Sequence, residues 1–82
     1  MSSARVRLSP RLIGLLRSEM EHCIEEANLG QYDTLIAKRY LLDQWAQIDI
    51  AAELGWTRST ISTRIPRILS RVEQTATRLQ LT

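Results

Sequence analysis

Arginine, serine and threonine side chains are interspersed with isoleucine between residues 57 and 67, in an order that places several polar ones on one side of a helix. This polar side carries Arg58, Ser59, Ser62 and Thr63. Short hydroxyls and forked guanidinium groups hydrogen-bond to phosphate oxygens and to base edges in the DNA major groove. The residue types therefore favour nucleic-acid chemistry, and the alternative is the solvated polar surface of an ordinary helical hairpin.

Two short helices joined by a glycine turn are predicted to position that polar face. Their apolar anchors are Ile50, Ala51, Leu54, Ile61 and Ile65. Gly55 suits the left-handed conformation that ends a helix. Thr57 suits an N-cap, because its hydroxyl can accept a hydrogen bond from the amide of Thr60. A small residue, a glycine turn and apolar anchors at these offsets are typical of a helix-turn-helix.

The N-terminal part of the chain predicts one helix at 10–29, preceded by a flexible basic arm at 1–9. Ser9 and Pro10 suit a cap and a first turn, and Asn28 to Gly30 suit an end. The inward stripe is Leu12, Leu16, Met20, Cys23 and Ala27. Gly14 either weakens this helix by about 1 kcal/mol relative to alanine or lets a neighbour approach closely.

A second helix is predicted from Tyr32 to Leu42, at the start of a helix-turn-helix module that spans 32–72. Its inward residues are Tyr32, Leu35, Ile36 and Tyr40. The sequence has no alternating strand pattern and no internal repeat. The predicted fold class is therefore all-α, with four to five helices in a single DNA-binding domain at 1–82.

Pro66 interrupts the helical pattern that follows the motif. Because an interior proline removes a backbone hydrogen bond and costs about 3 kcal/mol or more, we expect the helix either to kink there or to restart as a C-terminal helix at 66–79. Beyond Pro66, apolar residues recur with the heptad-like spacing of a coiled coil, which makes them candidates for dimerisation: Leu69, Val72, Ala76 and Leu79. The same spacing also suits a helix that packs on the N-terminal helix of its own chain.

Composition and charge restrict the class of protein. The 82 residues are 44% hydrophobic and 24% charged, as in a small globular domain. No apolar run approaches the ~20 residues of a membrane span, and the N-terminus lacks the hydrophobic region of a signal peptide. The single cysteine excludes an internal disulfide, so we expect an intracellular protein. The net charge is only +2, but residues 54–82 hold five arginines against one glutamate, which suits attraction to phosphates.

Three segments resemble region 4 of bacterial sigma factors, and equally the small phage transcription regulators of the RinA and ArpU type. They are the run from Tyr32 to Leu42, the motif Ile50-Ala-Ala-Glu-Leu-Gly-Trp-Thr-Arg-Ser-Thr-Ile61, and Arg67-Ile-Leu69. The shared features are Arg39-Tyr40 at the end of a hydrophobic helix, Ile-Ala-x-x-Leu-Gly at 50–55, and Thr57-Arg-x-Thr-Ile61. The resemblance covers about 32–72, roughly half of the chain.

The resemblance implies a role for each matching position. Thr57 would cap the recognition helix and touch a phosphate, and Arg39 and Arg67 would contact the DNA backbone. Base edges would be faced by Arg58, Ser59 and Thr63. The structural positions would be Ala51, Leu54, Gly55, Trp56 and Ile61. The chain departs from the family at Ser59, where sigma factors often carry an acidic residue, and at Pro66, where the family helix is continuous. It has no room for a core-promoter-melting region, so we do not expect a complete sigma factor.

Catalytic and metal chemistry are not expected. His22 and Cys23 are adjacent, and adjacent helical residues do not share a face, so they do not form a nucleophile–base pair. Cys23 lies in the apolar stripe and is predicted to be a small buried hydrophobe. Carboxylates four apart, such as Glu21 and Glu25, have no histidine or cysteine beside them to complete a metal site. We therefore predict no enzyme activity, metal or cofactor.

The leading hypothesis is a dimeric, sequence-specific DNA-binding transcription regulator, bacterial or phage, located in the cytoplasm at the nucleoid. Residues 58–65 would enter the major groove of double-stranded DNA. The predicted base contacts are Arg58, Ser59, Ser62 and Thr63, and the predicted phosphate contacts are Thr57, Arg39, Arg64 and Arg67. The alternative is a non-enzymatic adaptor that docks on RNA polymerase or another regulator, and the acidic stretch from Glu19 to Glu26 favours it.

Overall fold

The computed structural model describes residues 10–81, with side chains from residue 12 onward, and this part of the chain is all-α. The helices are α1 Pro10–Ile13, α2 Arg17–Glu26, α3 Gln31–Ala37, α4 Gln47–Leu54 and α5 Arg58–Arg78, and a π-helical turn, Lys38–Leu42, continues α3 directly. No strand occurs among these residues, which confirms the predicted fold class. None of the described helices combines the length and apolarity needed to cross a membrane. The basic arm predicted at 1–9 lies outside the described residues.

The prediction of a single helix at 10–29 is wrong. The first helix ends at Ile13, and a second helix begins at Arg17. Gly14 is exposed and has no atom close to where a Cβ would stand, so its role is not a close approach. The side chain of Glu19 accepts a hydrogen bond from the amide of Leu16, with a distance of 2.9 Å between N and Oε1. That bond satisfies a free amide at the start of α2 and fixes a new helix start.

Pro66 lies inside α5, which runs unbroken from Arg58 to Arg78. The helix therefore does not restart at 66, and the separate C-terminal helix predicted at 66–79 is the second half of α5. Pro66 and Ser62 are both exposed. The proline ring thus meets solvent rather than the core, and water can hydrate the carbonyl of Ser62 that loses its helical partner.

The core forms around the inward face of α5, which packs on α1, α2, α3 and α4. The buried residues of α5 include Ile61, Ile65, Ile68, Leu69, Val72 and Ala76. Three of the four predicted dimerisation residues, Leu69, Val72 and Ala76, are thus in the chain's own core, and Leu79 is half-buried against it. These residues therefore pack within their own chain, which is the alternative that the helical spacing left open, and they are not exposed for a dimer contact.

Tyr32 does not face inward, although the sequence predicts that it would. Its side chain is 51% exposed, and its ring lies against that of Trp56, with centroids 5.2 Å apart. The other residues predicted to be inward in this segment behave differently from one another: Ile36 is buried, whereas Leu35 and Tyr40 are half-buried. Tyr32 is the second residue of α3, and Gln31 before it is also exposed.

Candidate nucleic-acid interface

The turn between α4 and α5 has the geometry that the sequence predicts. Gly55 adopts φ 71° and ψ 26°, the left-handed region that favours glycine. Thr57 caps α5, and its Oγ1 accepts a hydrogen bond from the amide of Thr60 at 3.2 Å. Both local predictions are confirmed. The turn therefore fixes where α5 begins and which of its residues face outward.

The exposed side of the first three turns of α5 brings most of the predicted contact residues together. A shallow depression there is lined by Thr57, Ser59, Thr60, Thr63, Arg64 and Arg67. Arg58 and Ser62 are also exposed and lie four residues apart on the adjacent part of the helix. We call these eight residues the α5 polar face. Sequence reasoning missed the Thr60 side chain, although its position three residues after the cap was a signal.

Hydroxyls on the α5 polar face are partly used within the helix. The Thr63 hydroxyl donates to the carbonyl of Ser59, with 2.9 Å between oxygens. The hydroxyls of Thr57 and Thr60 lie 2.9 Å apart and share a hydrogen bond. In this state Thr63 offers only its oxygen lone pairs to a ligand, and therefore accepts rather than donates.

Arg58 and Arg67 are the cations that this face leaves unpaired. Both are exposed, and neither guanidinium group makes a hydrogen bond or ion pair with any of the residues that the structure describes. They lie on opposite flanks of the stripe formed by Ser59 and Thr63, because residues nine apart point in nearly opposite directions around a helix. A ligand lying along this stripe has a guanidinium group within reach on each side.

Arg64 has partners inside the protein. Its Nη1 lies 2.7 Å from Oδ1 of Asp33, whose side chain is 14% exposed. Its guanidinium carbon stands 4.9 Å from the centroid of the Trp56 ring. A phosphate that contacts Arg64 must therefore share it with Asp33. Sequence reasoning missed this pair, because its two residues are 31 positions apart.

Arg39 is held in a separate cluster on the π-helical turn and is not part of the α5 polar face. Its guanidinium donates to both carboxylate oxygens of Glu53, at 3.0 and 3.3 Å, and to Asp43 at 3.0 Å. It also lies 4.8 Å from the centroid of the Trp45 ring. The structure thus gives Arg39 a role in joining the π-helical turn to α4.

Acid is expected to weaken this cluster through Asp43. Hydrogen bonds from Arg39, and then from Arg17, lower the pKa of Asp43 below its ordinary value. Because the folded pKa is the lower one, Asp43 stabilises the fold above its unfolded pKa of about 3.9, and this contribution is lost as the pH falls through the folded pKa. Asp43→Asn should therefore melt below the parent protein at about pH 6, and the difference should shrink at about pH 3. A difference in melting temperature that is independent of pH would contradict this prediction.

Two of the five arginines of the C-terminal third serve the end of α2. Arg71 donates to the carbonyl of Ala27 at 3.2 Å, and Arg78 donates to that of Glu26 at 3.4 Å. Cations at this position satisfy free carbonyls and suit the negative end of the helix dipole. The basic charge of residues 54–82 is therefore divided between the α5 polar face and the support of α2.

Cys23 is fully buried, as the sequence predicts, while His22 beside it is exposed. Burial, and to a lesser extent the charge of Glu19, raises the pKa of the Cys23 thiol. The sulfur is thus protonated and shielded at neutral pH, which is the opposite of what a nucleophile requires. Within residues 10–81, no three of the His, Cys, Asp and Glu side chains come together as metal ligands.

Comparisons with known proteins give no relative for this chain. No family model matches it, and neither a curated protein nor a solved structure matches it. The likeness to sigma region 4 therefore consists of the motif residues alone. Function is accordingly inferred from the α5 polar face and its charges.

Proposed function

We propose that the protein is a sequence-specific regulator of transcription that binds double-stranded DNA through the α5 polar face. One observation carries the proposal: a capped, solvent-exposed helix start presents hydroxyls between two unpaired arginines, directly after a glycine turn. An α-helix of this kind fits the major groove. Such a regulator would act at the bacterial nucleoid, in the cytoplasm.

Within this proposal, the contacts divide by the reach and hydrogen-bonding capacity of each side chain. Arg58 and Thr63 are the preferred base contacts, with Ser59 and Ser62 beside them. The phosphate contacts are Thr57, Arg67 and, shared with Asp33, Arg64. Base contacts would supply specificity, and phosphate contacts would fix the register of the helix on the duplex.

The proposal is tested by selecting bound duplexes from a random DNA pool at about 150 mM salt, where weak electrostatic binding is suppressed. Enrichment of a motif is the expected result. Two copies of the motif at a fixed spacing would indicate a homodimer, whose contact then lies outside the buried residues of α5. Failure to enrich any motif, with the protein folded and helical by circular dichroism, would overturn the proposal.

A second candidate function is an adaptor that docks on RNA polymerase and has little DNA affinity. The exposed carboxylates of Glu21 and Glu26 on α2 favour it, because they present negative charge to a basic partner. Glu25 contributes less, because its carboxylate is 3.0 Å from Nζ of Lys38. Binding to purified polymerase subunits by a protein that selects no DNA motif would support the adaptor.

Replacing Arg67 with glutamine is expected to weaken binding to every DNA sequence and to lower the slope of log K against log salt by about one unit. The reason is that a phosphate contact releases one counterion. Arg78→Gln is the matched control, because Arg78 lies on the same helix but reaches toward α2. Equal slopes for Arg67→Gln and the parent protein would remove Arg67 from the interface.

A further inference from the structure

The solvent side of α4 carries a second surface, distinct from the α5 polar face. Ile48, Asp49, Ala52 and Glu53 recur at steps of one, three and one, so they lie on one side of the helix. Trp45 precedes the helix by two residues and lines the same surface. We call this set the α4 outer stripe. The opposite side of α4, with Ile50 and Ala51, is buried in the core. Arg39 contacts the two ends of the stripe, Trp45 and Glu53, and its middle residues Ile48, Asp49 and Ala52 are exposed.

An apolar recess with acidic edges lies along the stripe. Trp45, Asp49, Ala52 and Glu53 line it. Ile48, which directly precedes Asp49 in α4, is 62% exposed. Large apolar side chains that remain exposed next to a recess are typical of contact sites for other molecules. The Trp45 ring forms one wall of the recess and packs against the guanidinium group of Arg39, at 4.8 Å from its carbon to the ring centroid.

The charges of the stripe indicate what it would bind. The exposed carboxylate of Asp49 makes no hydrogen bond or ion pair with any of the described residues, whereas that of Glu53 accepts hydrogen bonds from Arg39. An unpaired carboxylate repels DNA phosphates, so the stripe is unsuited to extend the α5 polar face along a duplex. It instead suits a cation that approaches together with an apolar group.

We propose that the α4 outer stripe docks an amphipathic helix of a partner protein, which places one large apolar side chain in the recess and a lysine or arginine beside Asp49. The recess would accept the apolar side chain, and the carboxylate of Asp49 would orient the partner helix by attracting its cation. A second copy of this chain fits less well. Its exposed Arg58 and Arg67 lie among hydroxyls, and the guanidinium of Arg17 is held by the carbonyl of Leu42 at 2.7 Å and by Asp43. The inference does not depend on DNA binding.

The test titrates the isotope-labelled full chain with two synthetic helical peptides and follows backbone amide shifts by NMR. Both peptides carry one central leucine, one with lysines and the other with glutamates one turn to either side. We expect the lysine peptide to shift residues 45–53 and to bind roughly tenfold more tightly than the glutamate peptide. Ile48→Ser should weaken its binding roughly tenfold, and Asp49→Lys should reverse the preference between the peptides. Ile13→Ser is the matched control, because Ile13 is 67% exposed but lies on α1.

Several results would overturn the proposal. These are shifts confined to α2, equal binding of the two peptides, or no shifts at peptide concentrations of about 1 mM, the weak end of measurable affinity. Self-association of the chain that Ile48→Ser abolishes would make a second copy the occupant instead. Protection of residues 45–53 by bound duplex would assign the stripe to DNA. Amide spectra of each variant establish that it is folded, so a loss of binding reports on the stripe itself.

Discussion

Replacing Ile61 with alanine is expected to lower the free energy of unfolding by about 2–5 kcal/mol. Ile61 is fully buried on the inward side of α5, close to the turn that joins α4 to α5. The loss is large because an ordinary domain is stable by only about 5–15 kcal/mol, and small domains bury less of their surface. Urea denaturation followed by circular dichroism measures it.

The matched control for that measurement is Ile48→Ala, which makes the same chemical change at an exposed position of α4. Its free energy of unfolding should change by about 0.5 kcal/mol or less. Equal effects of the two substitutions would contradict the packing of α5 on α4. Since Ile61 lies behind the α5 polar face, DNA binding by Ile61→Ala has to be measured where the variant is fully folded.

The turn and cap could be predicted from sequence because their causes are local. Gly55 takes a conformation that other residues adopt only at a cost, and Thr57 caps an amide three residues away. The inward positions of Ile61 and Ile65 follow in the same way from the spacing of a helix. These few residues decide where α5 begins and which side chains it exposes, so the candidate interface could be predicted from the sequence.

The ion pairs could not be predicted, because each joins residues that are distant in sequence. Arg64 and Arg39 have the residue type of a phosphate contact, but the fold places Asp33 beside one and Glu53 beside the other. Only Arg58 and Arg67 of the predicted arginine contacts are left without such a partner among the described residues. Residue type alone therefore overstates how much positive charge is available to DNA.

Two further features of α5 could not be predicted from local sequence: which surface its apolar residues pack against, and whether the helix continues through Pro66. Leu69, Val72 and Ala76 have a spacing that suits packing against another chain or the same chain, and only their burial decides between the two. The effect of Pro66 depends on whether its ring faces solvent or core. Gly14 permits the N-terminal helix to be interrupted but does not require it. The hydrogen bond from the Leu16 amide to the Glu19 side chain determines where the next helix begins.

Replacing Arg58 with alanine is expected to reduce affinity for the selected DNA motif by about 1–3 kcal/mol, or roughly 5- to 150-fold, while non-specific binding changes much less. Arg58 opens α5, where a cation is disfavoured by the helix dipole, and it has no partner among residues 10–81. Its removal should therefore leave the free energy of unfolding unchanged or slightly raised, so a change in stability does not confound the measured affinity.

Arg78→Ala serves as the control on the same helix. Binding to the motif and to its single-base variants is compared by fluorescence anisotropy, and the variant should lose discrimination at one position. If Arg58→Ala weakened binding to all sequences equally, Arg58 would be a phosphate contact like Arg67, and Thr63 and its neighbouring serines would have to supply the base reading.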